Sequence, residues 1–235
     1  MSVLVFDLRG SIAHFRRPDT LGTHASYPFI TRTALHGLVA SILGLESLPE
    51  PPRCGVRLMS PVRTVAHEMS MLGKGWAGSG SDFNRPTSIE LVVQPHYRVY
   101  YQGPLQDELT DRIRTARSHY HTYLGSAYCL TFPSFVSSYL DSEMRPLSLE
   151  SSEPLTCVSV VPSKAISRLL PRERDEYARV GGVLYEHIGG RRFRGTLSLI
   201  YEVYGRSITF VPSSEVEADK WQFLRIPEEG IVCLW

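Results

Sequence analysis

The chain has 235 residues, 43% of them hydrophobic and 21% charged, with a formal net charge of +1. That is long enough for one large globular domain or two small ones. No apolar run approaches the roughly 20 residues of a membrane-spanning helix, and there is no internal repeat or long low-complexity tail, which excludes a helical membrane protein and a repeat array. The near-neutral balance is silent on nucleic acid, but the cations are 22 Arg and only 3 Lys (Lys74, Lys164 and Lys220). Arginine's planar fork suits bidentate phosphate contacts and stacking on bases; a GC-rich genome would leave the same bias. Cys54, Cys129, Cys157 and Cys233 form no CxxC pair, and with no signal peptide in front they read as reduced thiols in a cytoplasmic protein.

In chain order, residues 3–8 are β-branched and apolar and are bounded by Gly10, the mark of a buried strand. From Thr31 the period becomes helical, with Ala34, Leu35, Leu38, Val39, Ile42 and Leu43 on one face, a threonine to cap the start and Gly44 to stop the end. Residues 56–70 read as a strand. Residues 71–85 are glycine-rich and unperiodic, and a second strand runs from 87 through 101, so the pair makes a projecting hairpin with its tip at about 68–88. Residues 104–123 read as a second helix stopped by Gly125, and 127–136 as the next strand. The order strand, helix, strand, strand, helix, strand is that of a ferredoxin-like (RRM-like) lobe. A polar stretch at 148–154 marks the best boundary. The expected fold is therefore α+β, with a ferredoxin-like RNA-binding lobe over 1–147, a thumb-like hairpin, and a smaller β-rich second lobe over 148–235. In that second lobe, strands are expected at 155–161, 183–188, 196–204, 208–211 and 230–235, with a short helix at 163–170.

The opening loop is the most informative segment. Gly10-Ser11-Ile12-Ala13-His14-Phe15-Arg16-Arg17-Pro18 is followed by Ser26-Tyr27-Pro28-Phe29 and Thr31-Arg32-Thr33-Ala34-Leu35-His36-Gly37-Leu38. A strand ends in glycine, a basic and aromatic segment crosses a loop, and a helix opens beside an arginine. Cations and donors thus gather at one end of a sheet, where an anionic chain can lie.

These residues resemble the opening of the CRISPR-associated protein 5 family, of the RAMP superfamily. The residues from Tyr27-Pro28-Phe29 to Gly44 resemble its first helix, Arg85-Pro86-Thr87 through Tyr100 the return strand of its thumb, and Tyr120-His121-Thr122-Tyr123-Leu124-Gly125 the turn closing its second helix. The second lobe carries no matching motif. The resemblance implies a non-catalytic subunit of a type I Cascade ribonucleoprotein complex of antiviral defence. Such a subunit caps the foot of the complex, holds the 5′ handle of the crRNA, contacts the backbone and large subunits, and meets target DNA only through the complex. In one subtype of the family the equivalent protein is instead a metal-independent endoribonuclease that trims the pre-crRNA.

Holding an RNA end takes cations for phosphates, donors for 2′-hydroxyls and flat faces for unstacked bases. The candidates are Phe15, Arg16 and Arg17 in the opening loop, Arg32 at the helix start, Arg63 and His67 on the outgoing strand, Lys74, Trp76 and Arg85 in the hairpin, and Arg191, Arg192 and Arg194 in the densest cationic run. Each has a plainer reading. Phe15 can be core, Arg17 can pair with Asp19, Trp76 can be adventitious in a loop, and the run at 191–194 can be a solvated turn. If the chain cuts RNA, a base, an acid and a cation are needed, and His14, His24, Tyr27, His67 and Lys74 are the suitable groups. A third reading is an interaction subunit with no RNA contact. His119, His121 and Cys129 fall short of a closed zinc site, no nucleotide or cofactor motif is present, and the RNP1 pattern of an RNA-recognition module is missing. No metal, cofactor or membrane partner is expected.

Overall fold

The computed structural model describes residues 2–20, 22–72, 84–147, 153–190, 192–213 and 220–235. The strand Ser2–Arg9 lies inside a four-stranded antiparallel sheet whose order is Arg53–Leu58, His96–Gln102, Ser2–Arg9, Ser134–Leu140. Its apolar run, broken only by the buried Asp7, is explained by burial on both faces. Leu4, Phe6 and Leu8 pack with Leu35, Leu38 and Ile42 of helix α1 (Arg32–Leu43) and Leu109 and Ile113 of helix α2 (Gln106–Arg114). Val3 and Val5 on the opposite face pack with Tyr100, Leu224, Ile226, Val232 and Leu234 from the C-terminal strands. A strand covered on both sides has no polar side to alternate with.

Helix α1 begins and ends where its caps place it. The Thr31 hydroxyl accepts from the Ala34 N–H, and Gly44 adopts φ 74° with its N–H on the Ala40 carbonyl. Helix α2 is far shorter than the expected span of 104–123. Ala116 takes φ 51°, the Arg117 N–H reaches the Arg112 carbonyl and the Ala116 N–H reaches Ile113. This is a Schellman stop built without glycine. The chain then docks on the end of α1, where His119 and Tyr120 N–H groups meet the Ile42 and Ser41 carbonyls.

The two expected long strands are also each broken. Residues 56–70 divide at Pro61 into Arg53–Leu58 and Thr64–Leu72, and 87–101 divides at Gln94 (φ 48°) and Pro95 into Asn84–Val93 and His96–Gln102. The inner members stay in the central sheet. The outer members pair with each other from Thr64↔Val92 to Leu72↔Asn84 and form the hairpin. The expected strand at 127–136 starts instead at Ser134, after a short ladder in which Tyr123 bridges Leu130.

The remaining strands form a six-stranded sheet, in the order Arg145–Pro146, Gln222–Ile226, Gly230–Leu234, Leu155–Cys157, Ile208–Pro212, Ile166–Leu169, and a three-stranded one, Val161–Pro162, Phe193–Glu202, Tyr177–His187. The expected short helix at 163–170 is a 3-10 turn, Ser163–Ala165, running into the strand Ile166–Leu169. The strand Gln222–Ile226 escapes the sequence reading. The architecture is mostly β with two α-helices among the described residues, within the α+β class. No helix among them is long and apolar enough to cross a membrane, and all four cysteines are free and buried.

Candidate nucleic-acid interface

The opening loop is pinned between the central sheet and the hairpin. Gly10 is closely surrounded: a Cβ would sit 3.0 Å from Leu124 Cδ1 and 3.3 Å from the Leu130 carbonyl, so a side chain there would push its neighbours apart. Ile12 and Ala13 pair with Val93 and Val92 of the returning hairpin strand. Phe15 and Arg16 pair with Tyr27 and Ser26, and Ser26 N–H donates to Glu90 Oε2 at 2.9 Å. His24 bridges the same hairpin strand, with its N–H on Ser88 and its carbonyl taking the Glu90 N–H.

Three of the candidate residues meet here, His14, Arg16 and His24, with Arg85 farther out along the same hairpin strand. The rings of His14 and His24 stack at 6.3 Å with 19° between planes. His14 is 4% exposed and its Nδ1 donates to the Glu90 carbonyl at 2.8 Å. Burial holds the pKa of both imidazoles below the ordinary value, and the positive charge of Arg16 adds to this at each; His14 and Arg85 do so as well at His24. Arg16 is exposed, and among the described residues neither it nor Arg85 has an ion-pair partner. Arg16 thus stands beside a pair of neutral histidines, and Arg85 lies farther out along the returning hairpin strand, opposite Met71; two guanidiniums without an ion-pair partner among the described residues on one side of the hairpin suit phosphate.

Other candidates are committed to the fold. Arg32 is 4% exposed; its Nε donates to the Tyr185 carbonyl at 3.0 Å, its NH1 to Pro52 at 2.9 Å and to Trp235 at 2.6 Å, and the group lies over the Tyr185 ring. Its position at the first helical residue turned it inward, so it is a structural clamp and not an RNA contact. Phe15 is 3% exposed and packs against Tyr97, so it offers no free stacking face. Arg17 is held by Asp19 through two hydrogen bonds, and Arg194 by Glu186, directly across the strand pair. The Tyr27 phenol donates to the Gly182 carbonyl at 2.7 Å and burial raises its pKa, which makes it a poor base. Arg63 is exposed just before the outgoing strand and His67 on it, and Arg192, whose N–H meets the Gly189 carbonyl, is exposed as well. Lys74, Trp76 and Arg191 lie outside the described residues. Among the described residues no group of three or more His, Cys, Asp or Glu is gathered as for a metal.

The structure adds residues that the sequence did not single out. A cavity of about 580 Å³ opens beside Arg16, between the start of α1 and the turn that carries His187 and Phe193, and His36 lines it. On the neighbouring ladder, Tyr123, Leu130 and Phe132 are 44%, 52% and 78% exposed while Thr122, Leu124, Cys129 and Thr131 point inward. That alternation was visible in the sequence but fell where a helix and a strand were expected.

Residues 3–68 match the family described as CRISPR-associated protein (Cas5). The chain resembles the Cas5 family. The Cas5-like segment holds the central strand, the opening loop, α1 and the first part of the hairpin. Over 90% of this chain and 92% of the other, the fold is similar to a chain of a CRISPR RNA-guided surveillance complex, with a TM-score of 0.54 at 13% identity. A CRISPR protein from Archaeoglobus fulgidus gives 0.55 at 9% identity, covering 99% and 98% of the two chains. A further Cas protein gives 0.51 at 15% identity over 86% and 95%. At such identities the likeness is one of fold, extending well past the Cas5-like segment. Among curated proteins no match was found.

Proposed function

We propose that the chain binds the 5′ handle of a CRISPR guide RNA and caps the foot of a type I effector complex in the cytoplasm, meeting its backbone and large subunits and reaching target DNA only through them. The observation that carries this reading is the pair of guanidiniums, Arg16 and Arg85, that lack an ion-pair partner among the described residues and lie to either side of His24 along a projecting hairpin. The central sheet order, with one helix in each crossover, supports a ferredoxin-like first lobe, proposed over 1–147, joined to a β-rich lobe over 148–235, although Arg145–Pro146 already pairs in the second lobe's sheet. Likeness to a chain of a surveillance complex supports the setting, and the exposed face of Tyr123, Leu130 and Phe132 suits a protein neighbour there.

The test is incubation of the purified chain with labelled CRISPR repeat RNA in EDTA. Retention of intact RNA that Arg16→Glu weakens is the expected result. Equal retention by wild type and Arg16→Glu overturns the handle assignment. A discrete cut favours the processing reading instead, with the stacked His14 and His24 as its acid and base.

A further inference from the structure

The short ladder that follows α2 leaves one face uncovered. It is held by the Leu124 N–H on the Cys129 carbonyl at 2.7 Å and the Thr131 N–H on the Thr122 carbonyl at 3.1 Å, with Tyr123 opposite Leu130. Thr122, Leu124, Cys129 and Thr131 are buried, so His121, Tyr123, Leu130 and Phe132 share the outer face. Tyr120, just before the ladder, and Tyr128, in its turn, are exposed as well. So concentrated an apolar surface marks contact with another molecule.

The charge of this region narrows what that molecule is. Residues 112–140 contain no Asp or Glu, and their cations are Arg112, Arg114 and Arg117, with His119 and His121. Arg112 is taken by Glu108, one turn earlier in α2. Arg114 and Arg117 are exposed, and among the described residues neither has an ion-pair partner. The Arg114 guanidinium lies over the Phe135 ring, 4.2 Å from its centre, which brings its charge to the strand that continues from Phe132. Elsewhere the chain neutralises its own surface, Arg17 by Asp19, Arg172 by Asp175 and Arg194 by Glu186. Here it presents the cations and withholds the carboxylates.

An apolar centre with a charged rim is the anatomy of a protein interface, in which tyrosine, phenylalanine and arginine are enriched. Leu130, opposite Tyr123, has no π face on which a base could stack, which favours a protein over RNA.

We propose that this face docks a segment of a partner subunit that is apolar at its centre and acidic at its edges, with carboxylates meeting Arg114, Arg117 and His121. That there is a partner subunit rests on the proposed function; its acidic character rests on this face.

The test uses the full chain co-expressed with the subunits of its complex. Arg114→Lys and His121→Lys each place an amine on the face, and a carbodiimide joins an amine to a carboxylate in contact with it. The expected result is a cross-link to an Asp or Glu in an acidic, apolar stretch of another subunit, absent from wild type. In a second arm, Arg114→Glu and His121→Glu are combined. Recovery of partner subunits should fall about tenfold, while the isolated variant retains repeat RNA as wild type does. The carboxylate cross-link upholds the proposal, whatever the recovery. No cross-link, or one to a second copy of this chain, overturns it, as does loss of RNA in place of subunits. If wild type assembles with no subunit, the complex setting fails and this partner with it, whereas the Arg16→Glu comparison still decides RNA binding by itself.

Discussion

Arg32 and Trp235 lie 203 positions apart, yet the Arg32 guanidinium donates to the Trp235 main-chain oxygen at 2.6 Å. The same group serves Pro52 and Tyr185, so one buried side chain ties four distant segments together. Arg32→Lys keeps the charge but loses the fork, leaving main-chain acceptors buried without donors. The expected cost is about 2 kcal/mol or more in urea unfolding, with RNA retention per folded molecule unchanged. A folded Arg32→Lys protein that sheds RNA would return Arg32 to the interface.

Arg16 and Arg85 should behave in the opposite way. Charge reversal at either is expected to leave unfolding within about 0.5 kcal/mol of wild type while weakening RNA retention. The slope of log affinity against log salt should become shallower by about 0.7 for each single-strand phosphate that is no longer neutralised. An unchanged slope would remove that arginine from the phosphate path.

How much of this was readable in advance follows from what each signal encodes. The first strand and α1 were legible because their periodicity and caps are local: Thr31 and Gly44 fix the helix whatever surrounds it. The ends of α2 were not, because Ala116 in the left-handed region carries no residue-type signature and the chain beyond it is captured by the carbonyls of α1. The hairpin was recognised but its base was misplaced, since Pro61 and Pro95 move the chain from one sheet to another without breaking the strand-like composition. At the site, the opening loop was found from its residue types. The inward turn of Arg32 depends on residues 52, 185 and 235, which no local pattern links to the helix start.

Because burial beside Arg32 lowers His36 from 6.5 to about 3, folding should depend on pH there. Between those values the unfolded chain takes a proton that the folded chain refuses. Stability from this group is complete above pH 6.5 and declines as pH falls toward 3, by up to about 1.4 kcal/mol per unit. Unfolding curves for His36→Gln should fall less steeply with acid than wild type. Parallel curves would mean that His36 titrates normally in the fold.

Gly125 adopts φ 87°, and a Cβ there would strike the His14 carbonyl. Gly125→Ala is expected to cost about 1–3 kcal/mol through backbone strain, with more from the collision. It should also displace the His14 ring, visible as a shifted imidazole resonance. Wild-type stability and an unmoved His14 would show that the loop has slack at this point.

Phe132 is 78% exposed beside Leu130 and Tyr123. Phe132→Ser should leave the isolated chain's stability within about 0.5 kcal/mol and lower its recovery in complexes assembled with partner subunits. Full recovery would exclude this face from subunit contact.

The hairpin's outgoing strand, Thr64–Leu72, has a partner along one side only among the described residues, and eight of its nine positions are exposed. Its free row of amides and carbonyls is a template that accepts any extended chain presented to it. Kept apart from whatever covers that row, the protein carries a built-in route to self-association, and its solubility becomes a property of its company as much as of its own sequence.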